Sequence, residues 1–187
     1  DFIALGEEIA MAAFNESPAD VSALTALKSG DITLADKITE ATGKIGEKLA
    51  VTSYEVMSGE AIVPYIHSNK KLGVLVSLKN IGGDVEATGK DVAMQIAAMN
   101  PIAVDKDGVD SAVVEKEIEI GKDQARQEGK PENIIEKIAM GKLNKFFKEN
   151  TLLSQSFVKD SSMTIAQYLD SVSKGMTVDA FKRVNIG

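Results

Sequence analysis

The stretch from Ser111 to Glu149, SAVVEKEIEIGKDQARQEGKPENIIEKIAMGKLNKFFKE, constrains the fold more than any other part of the chain. It reads as two highly charged helical arms whose apolar residues keep to a narrow line. Val114, Ile118, Gly121 and Ala125 form that line on the first arm; Ile134, Ile138 and Gly141 form it on the second. A core helix carries a broad apolar face, whereas a seam this thin suits an antiparallel coiled-coil hairpin packed mainly on itself. Gly129 fits the left-handed position after a helix and Pro131 the first turn of the next, so the arms join at Gly129-Lys130-Pro131. Gly121 and Gly141 each cost about 1 kcal/mol of helix propensity against Ala, and both would let the two backbones approach closely. The hairpin, 111–148, is an insertion that protrudes from the rest.

On either side of it the period of the apolar residues changes. Phe2, Leu5, Ile9, Ala12 and Ala13 keep helical spacing, so a first helix is predicted to about Asn15. Ser17 as N-cap with Pro18 at the first helical position starts a short second helix, and Thr33 caps a third through Leu34, Ile38, Ala41, Ile45 and Leu49. The segment 50–79 is rich in β-branched and aromatic residues with turns at Ser58-Gly59 and Ser68-Asn69. It predicts three antiparallel strands near 50–57, 61–67 and 71–79. Pro64 cannot donate a ladder hydrogen bond, which puts its strand at an edge or a bulge. A helix carrying Val85, Val92, Ile96 and Met99 ends at Asn100-Pro101. The chain closes with an extended LLSQSFV, a helix through Ile165, Tyr168, Leu169 and Val172, and a strand in which Val178, Ala180, Val184 and Ile186 alternate with polar neighbours. The fold class is therefore α+β, antiparallel sheets backed by helices with the helical hairpin inserted.

Composition excludes several functions. The chain has 187 residues and 44% hydrophobic content, enough for a sizeable core, and no apolar run long enough to span a membrane. A net charge of −7 argues against nonspecific nucleic-acid binding, which depends on Lys and Arg neutralising phosphates. Without cysteine there are no disulfides, thiolate metal sites or thiol nucleophiles.

The remaining motifs fail as chemistry. His67 is the one histidine and has no evident base partner in the sequence, so it reads as structural. DKDGVD at 105–110 imitates a calcium loop, but Asp110 stands where that loop needs glycine. EATGK occurs at 40–44 and 86–90 without the glycine spacing or the Ser/Thr of a phosphate loop, and both copies fall in helical patterns. The basic KLNKFFK at 142–148 complements a helix C-terminus. No metal or cofactor site is expected, and the chain does not read as an enzyme. Asp1-Phe2, directly before the first helix, is either a cap and first core residue or a working tip.

Several segments, in order, resemble the translation elongation factor Ts family, which exchanges nucleotide on the GTPase EF-Tu. They are GKIGEKL (43–49), YIHSNKKLGVLVSL (65–78), DVAMQIAAMNP (91–101), VVEKE (113–117), GKP (129–131), EKIAMGKLNKFF (136–147) and LLSQSFV (152–158). DFIA at the start is similar to the family's Thr-Asp-Phe-Val element, with the Thr missing and Ile3 in place of Val. The resemblance implies a guanine-nucleotide exchange factor in which Asp1, Phe2 and Ile3 enter EF-Tu near its Mg²⁺ site. Phe2 would wedge between partner side chains while Asp1 disturbs the network around the metal. It implies two related subdomains, an N-terminal one over 1–58 and a C-terminal one over 59–110 and 149–187, with the hairpin serving dimerisation or partner contact. It also implies a core fragment lacking the small ubiquitin-associated-like domain. The implied location is the cytoplasm, or the mitochondrial matrix for organellar members, and the implied assembly is a homodimer or a two-by-two complex with EF-Tu. A noncatalytic scaffold that oligomerises through the hairpin is the alternative reading.

Overall fold

A computed structural model describes residues 2–186. The chain forms two compact units, Asp1–Val56 and Met57–Gly187.

The first unit is helical: α1 (Phe2–Glu16), α2 (Val21–Ala26) and α3 (Leu34–Ile45), with a two-residue hairpin, β1 (Lys28–Ser29) and β2 (Ile32–Thr33), between the last two. Ser17 is not the cap of α2. It takes a left-handed φ of 45° and donates its N–H to the Ala13 carbonyl at 3.0 Å, so it closes α1. Asp20 caps α2 instead, accepting from Ala23 N at 2.8 Å. Thr33 caps α3 as predicted, in a reciprocal box with Asp36 that satisfies two otherwise orphaned donors. Leu24 and Leu34 are the fully buried apolar residues among those described in this unit. The strand predicted over 50–57 is not formed. Its residues have strand propensity but no neighbouring strand to bond, and propensity without a ladder partner does not make a sheet.

The second unit holds the larger core. Strands β3 (Ala61–Ile66) and β4 (Leu72–Lys79) form an antiparallel hairpin, and β7 (Thr177–Asn185) pairs on the other side of β4. The order β3-β4-β7 leaves Pro64 on an edge strand, as its missing donor requires. Helix α4 (Val85–Met99) packs on one face of the sheet. There Val63, Val74, Val76 and Leu78 meet Val92, Ala93 and Ile96, joined by Ile165 and Leu169 of α7 (Ile165–Val172). Met99, assigned to this face by spacing, is exposed instead at the end of α4. The LLSQSFV segment is a short 3₁₀ turn at Leu152–Ser154 running into β5 (Ser156–Phe157), which pairs with β6 (Asp160–Thr164).

The alternation predicted for β7 breaks at a bulge. Val178 pairs with Leu78, but Ala180 pairs with Ser77, so two steps on β7 match one on β4. One extra residue flips every later side chain to the other face. Phe181 therefore packs on the core opposite Val76, while Val184 and Ile186 are exposed.

Between Asp110 and Thr151 run α5 (Ser111–Gln127) and α6 (Glu132–Asn150), joined through Gly129 at φ +71°. They pack mainly on each other. Gly121 and Ala125 are buried as the spacing implies, but the second arm contributes Ile135, Ala139 and Leu143 rather than Ile134, Ile138 and Gly141. A methyl on Gly121 would lie 3.1 Å from the Ala139 Cα, so the backbones do approach closely there. Nothing lies within 4 Å of the same position on Gly141.

Candidate partner interface

Helix α1 has no buried residue. Leu5, Ile9, Ala12 and Ala13 are half-buried along the predicted stripe, while Phe2, at its head, is 60% exposed and Ile3 beside it 62%. Asp1 lies outside the described residues. With more than half of its surface open, Phe2 is not a fully buried core residue. The ring borders two open grooves that share Leu5. One, of about 390 Å³, runs along α3 beside Ile32, Ala41 and Ile45; the other, of about 320 Å³, is lined by Ile9, Ile38, Leu49 and Val51.

A second apolar line was not singled out from the sequence. Ile3, Met11 and Phe14 are all exposed, Phe14 at 80%. Ile3, Ala10 and Phe14 stand at i, i+7 and i+11 of α1, a helical period that overlaps the first stripe and was masked by it.

The helix is fixed in place by a polar anchor. The Glu8 carboxylate accepts from Lys37 Nζ of α3 and from Ser29 Oγ of β1, and Lys37 also reaches Ser29 Oγ at 3.1 Å. The hydrogen bond from Lys37, then that from Ser29, holds the Glu8 pKa below the ordinary value of 4.5. A carboxyl depressed in the folded chain stabilises above its unfolded pKa, and that contribution is lost as pH falls through the folded value. Followed by NMR, Glu8 is expected to titrate below 4.5 and to return toward it in Lys37→Met. An unchanged midpoint in that variant would show that the anchor does not exist in solution.

The motifs set aside in the sequence have structural partners. His67 Nδ1 lies 2.9 Å from the Tyr65 hydroxyl at the end of β3. In the 105–110 segment Asp105 caps a 3₁₀ turn and Asp110 accepts from Ala112 N at the start of α5, so these carboxylates serve as caps. Both EATGK copies are helical, and Lys90 pairs with Glu86 at 2.6 Å. Lys142 is held by Gln124 and Glu128 across the hairpin. Among the described residues no group of three or more His, Cys, Asp or Glu is placed to hold a metal ion, and no helix is long and apolar enough to cross a membrane.

What remains is an exposed aromatic tip on an anchored helix, a feature that suits contact with another macromolecule. The family model for elongation factor TS matches residues 1–187. Elongation factor Ts of Cytophaga hutchinsonii is 57% identical over 188 residues, covering 100% of this chain and 68% of that protein. The Amoebophilus asiaticus protein of the same name is 50% identical, with 100% and 68% covered. That of Flavobacterium psychrophilum is 49% identical over 156 residues, 83% of this chain and 57% of that protein. With its whole length matched by the family and half or more of its residues shared with such relatives, the chain belongs to the elongation factor Ts family.

Proposed function

We propose that the chain is a guanine-nucleotide exchange factor in translation elongation, acting on EF-Tu through the tip formed by Asp1, Phe2 and Ile3. One observation carries this reading: two adjacent large apolar side chains stand out at the first turn of α1, 60% and 62% exposed. A GTPase holds its nucleotide largely through Mg²⁺ bridging the phosphate oxygens. A partner that binds the nucleotide-free state better than the loaded one shifts the equilibrium by that difference in affinity, and needs no acid, base or nucleophile of its own. Phe2 is the wedge in this scheme, Ile3 supports it, and Asp1 supplies negative charge near the metal. The working division follows: 1–58 presents the tip, 59–110 with 149–187 forms the second docking subdomain, and 111–148 is an accessory arm. The reaction takes place in the cytoplasm.

Stoichiometric addition of the chain to EF-Tu loaded with fluorescent GDP is expected to speed release about a hundred-fold, within the usual range of coupling between sites. No acceleration would remove the exchange reading. A second reading, a scaffold that oligomerises through the hairpin, draws on the exposed Val113, Ile120, Ile134 and Met140 of α5 and α6. That reading predicts self-association without any effect on nucleotide release.

A further inference from the structure

We infer that the buried amide pair Gln95–Gln155 is a joint that fixes the direction of the α5–α6 hairpin against the sheet-bearing core of the second unit. The hairpin packs mainly on itself, and the chain enters it at Asp110 and leaves it at Thr151. Held only at those crossings, two mutually packed helices would pivot about their root. Backbone bonds secure one side of that root: Asn150 O accepts from Ile102 N at 2.9 Å, and Ala103 O and Val104 O accept from Leu152 N and Leu153 N.

The end of α6 supplies the other side. A helix C-terminus leaves carbonyls without partners. Here Phe146 O accepts from Asn150 Nδ2 at 2.9 Å, and Phe147 O, which takes the Thr151 N–H at 2.9 Å, also accepts from Thr151 Oγ1 at 2.7 Å. Those two donors, Asn150 at the end of α6 and Thr151 directly after it, would move with the helix. The third does not. Glu149 O accepts from Gln155 Nε2 at 2.9 Å, and Gln155 lies beyond the 3₁₀ turn. The Gln155 Oε1 in turn accepts from Gln95 Nε2 on α4 at 3.1 Å. Gln95 spends its other groups on the same neighbourhood, donating to Ser156 O at 3.1 Å and accepting from Val158 N at 2.8 Å. Gln155 O accepts from Ile165 N, the first residue of α7.

Gln95 is 0% and Gln155 1% exposed, and the Gln155 backbone is bonded to the buried residues Leu152 and Ile165. Apolar side chains of similar size would fill this space, so packing alone does not call for amides. A buried amide with its donors and acceptor engaged specifies direction, because each bond is lost if the elements rotate. The relay runs from the end of α6 through Gln155 and Gln95 to the helix that lies on the sheet.

The chain has no cysteine, so two spin labels can be placed at Lys130→Cys, in the hairpin turn, and Lys174→Cys, before β7. Pulsed dipolar spectroscopy on the full chain is expected to give one narrow distance distribution, at least doubled in width by Gln155→Leu. Leu169→Ala, a core truncation in the same unit, is expected to lower the melting temperature without widening the distribution. Equal widths in Gln155→Leu and the parent, or equal broadening by Leu169→Ala, would overturn the joint. Hydrogen exchange on the unaltered chain tests it even if Gln155→Leu does not fold. The side-chain amides of Gln95 and Gln155 should exchange as slowly as the backbone of β4; exchange as fast as the outer hairpin amides would overturn the joint. Neither measurement involves nucleotide release, so failure here is distinguishable from failure of the proposed exchange activity.

Discussion

Phe2→Ala is expected to slow GDP release from EF-Tu about thirty-fold relative to the parent chain while leaving melting and circular dichroism unchanged. Truncating an aromatic anchor at the centre of an interface typically costs about 2 kcal/mol, which corresponds to that factor. The fold should not notice, since Phe2 is 60% exposed on a helix without buried residues. Exposed substitutions away from caps and cores usually stay within about 0.5 kcal/mol. Stopped-flow release of fluorescent GDP measures the rate, and a thermal melt measures the fold. Phe14→Ala is the informative comparison, because Phe14 is even more exposed, at 80%, near the other end of the same helix. An unchanged rate in Phe2→Ala would end the wedge assignment. Equal losses in both variants would move the activity from the tip to the whole outer face of α1.

The two helical arms, the α+β class and most helix limits were legible because they rest on local chemistry. Gly129 after a helix, Pro131 before one, the Thr33–Asp36 box and the Asn100-Pro101 stop act over three or four residues. Long-range pairing was less legible. Residues 50–57 and 61–67 have similar strand chemistry, yet β4 takes β7 as its second neighbour from about a hundred residues away. The bulge opposite Ser77 and Leu78 inverted the facing of the last strand, and no residue type announces it. On α6 the adjacent Ile134 and Ile135 offer two apolar lines one residue apart; the close approach of Gly121 to Ala139 selects the one containing Ile135. Ser17 and Asp20 both have cap chemistry, and the end of α1 claims the first.

The candidate tip shows the same limit from the other side. Periodicity placed Phe2 at the head of an inward stripe, where a core role and a partner role look alike. Only the extent of the neighbouring elements decides whether the stripe's first residue is covered. The buried glutamines were harder still, since a Gln within AMQIAAM reads as an outward polar position unless its partners fifty or more residues away are known.

Gly89→Ala is expected to destabilise the second unit by about 2 kcal/mol, although Ala is the better helix former. An added methyl would lie 2.3 Å from Val63 Cγ2, 2.6 Å from its Cβ and 2.9 Å from its Cγ1. Turning the Val63 side chain does not relieve this, because rotation exchanges one branch for another and the Cβ stays. The backbone of α4 must lift away from β3, loosening the layer where Val63 and Val76 meet Val92 and Ile96. Overpacking of this kind reaches about 3 kcal/mol, against which the helix-propensity gain of about 1 kcal/mol is smaller. The melting temperature should fall by roughly 6 °C for a unit of this size. Gly141→Ala isolates the propensity term, since nothing lies within 4 Å of the added methyl, and is expected to stabilise by up to about 1 kcal/mol. Combining Gly89→Ala with Val63→Ala should cost about 1 kcal/mol less than the sum of the two, because two of the three clashing atoms are gone. A Gly89→Ala chain that melts at or above the parent would mean that α4 rides on the sheet loosely enough to yield, and the tight seating of Gln95 on the same helix would lose its support.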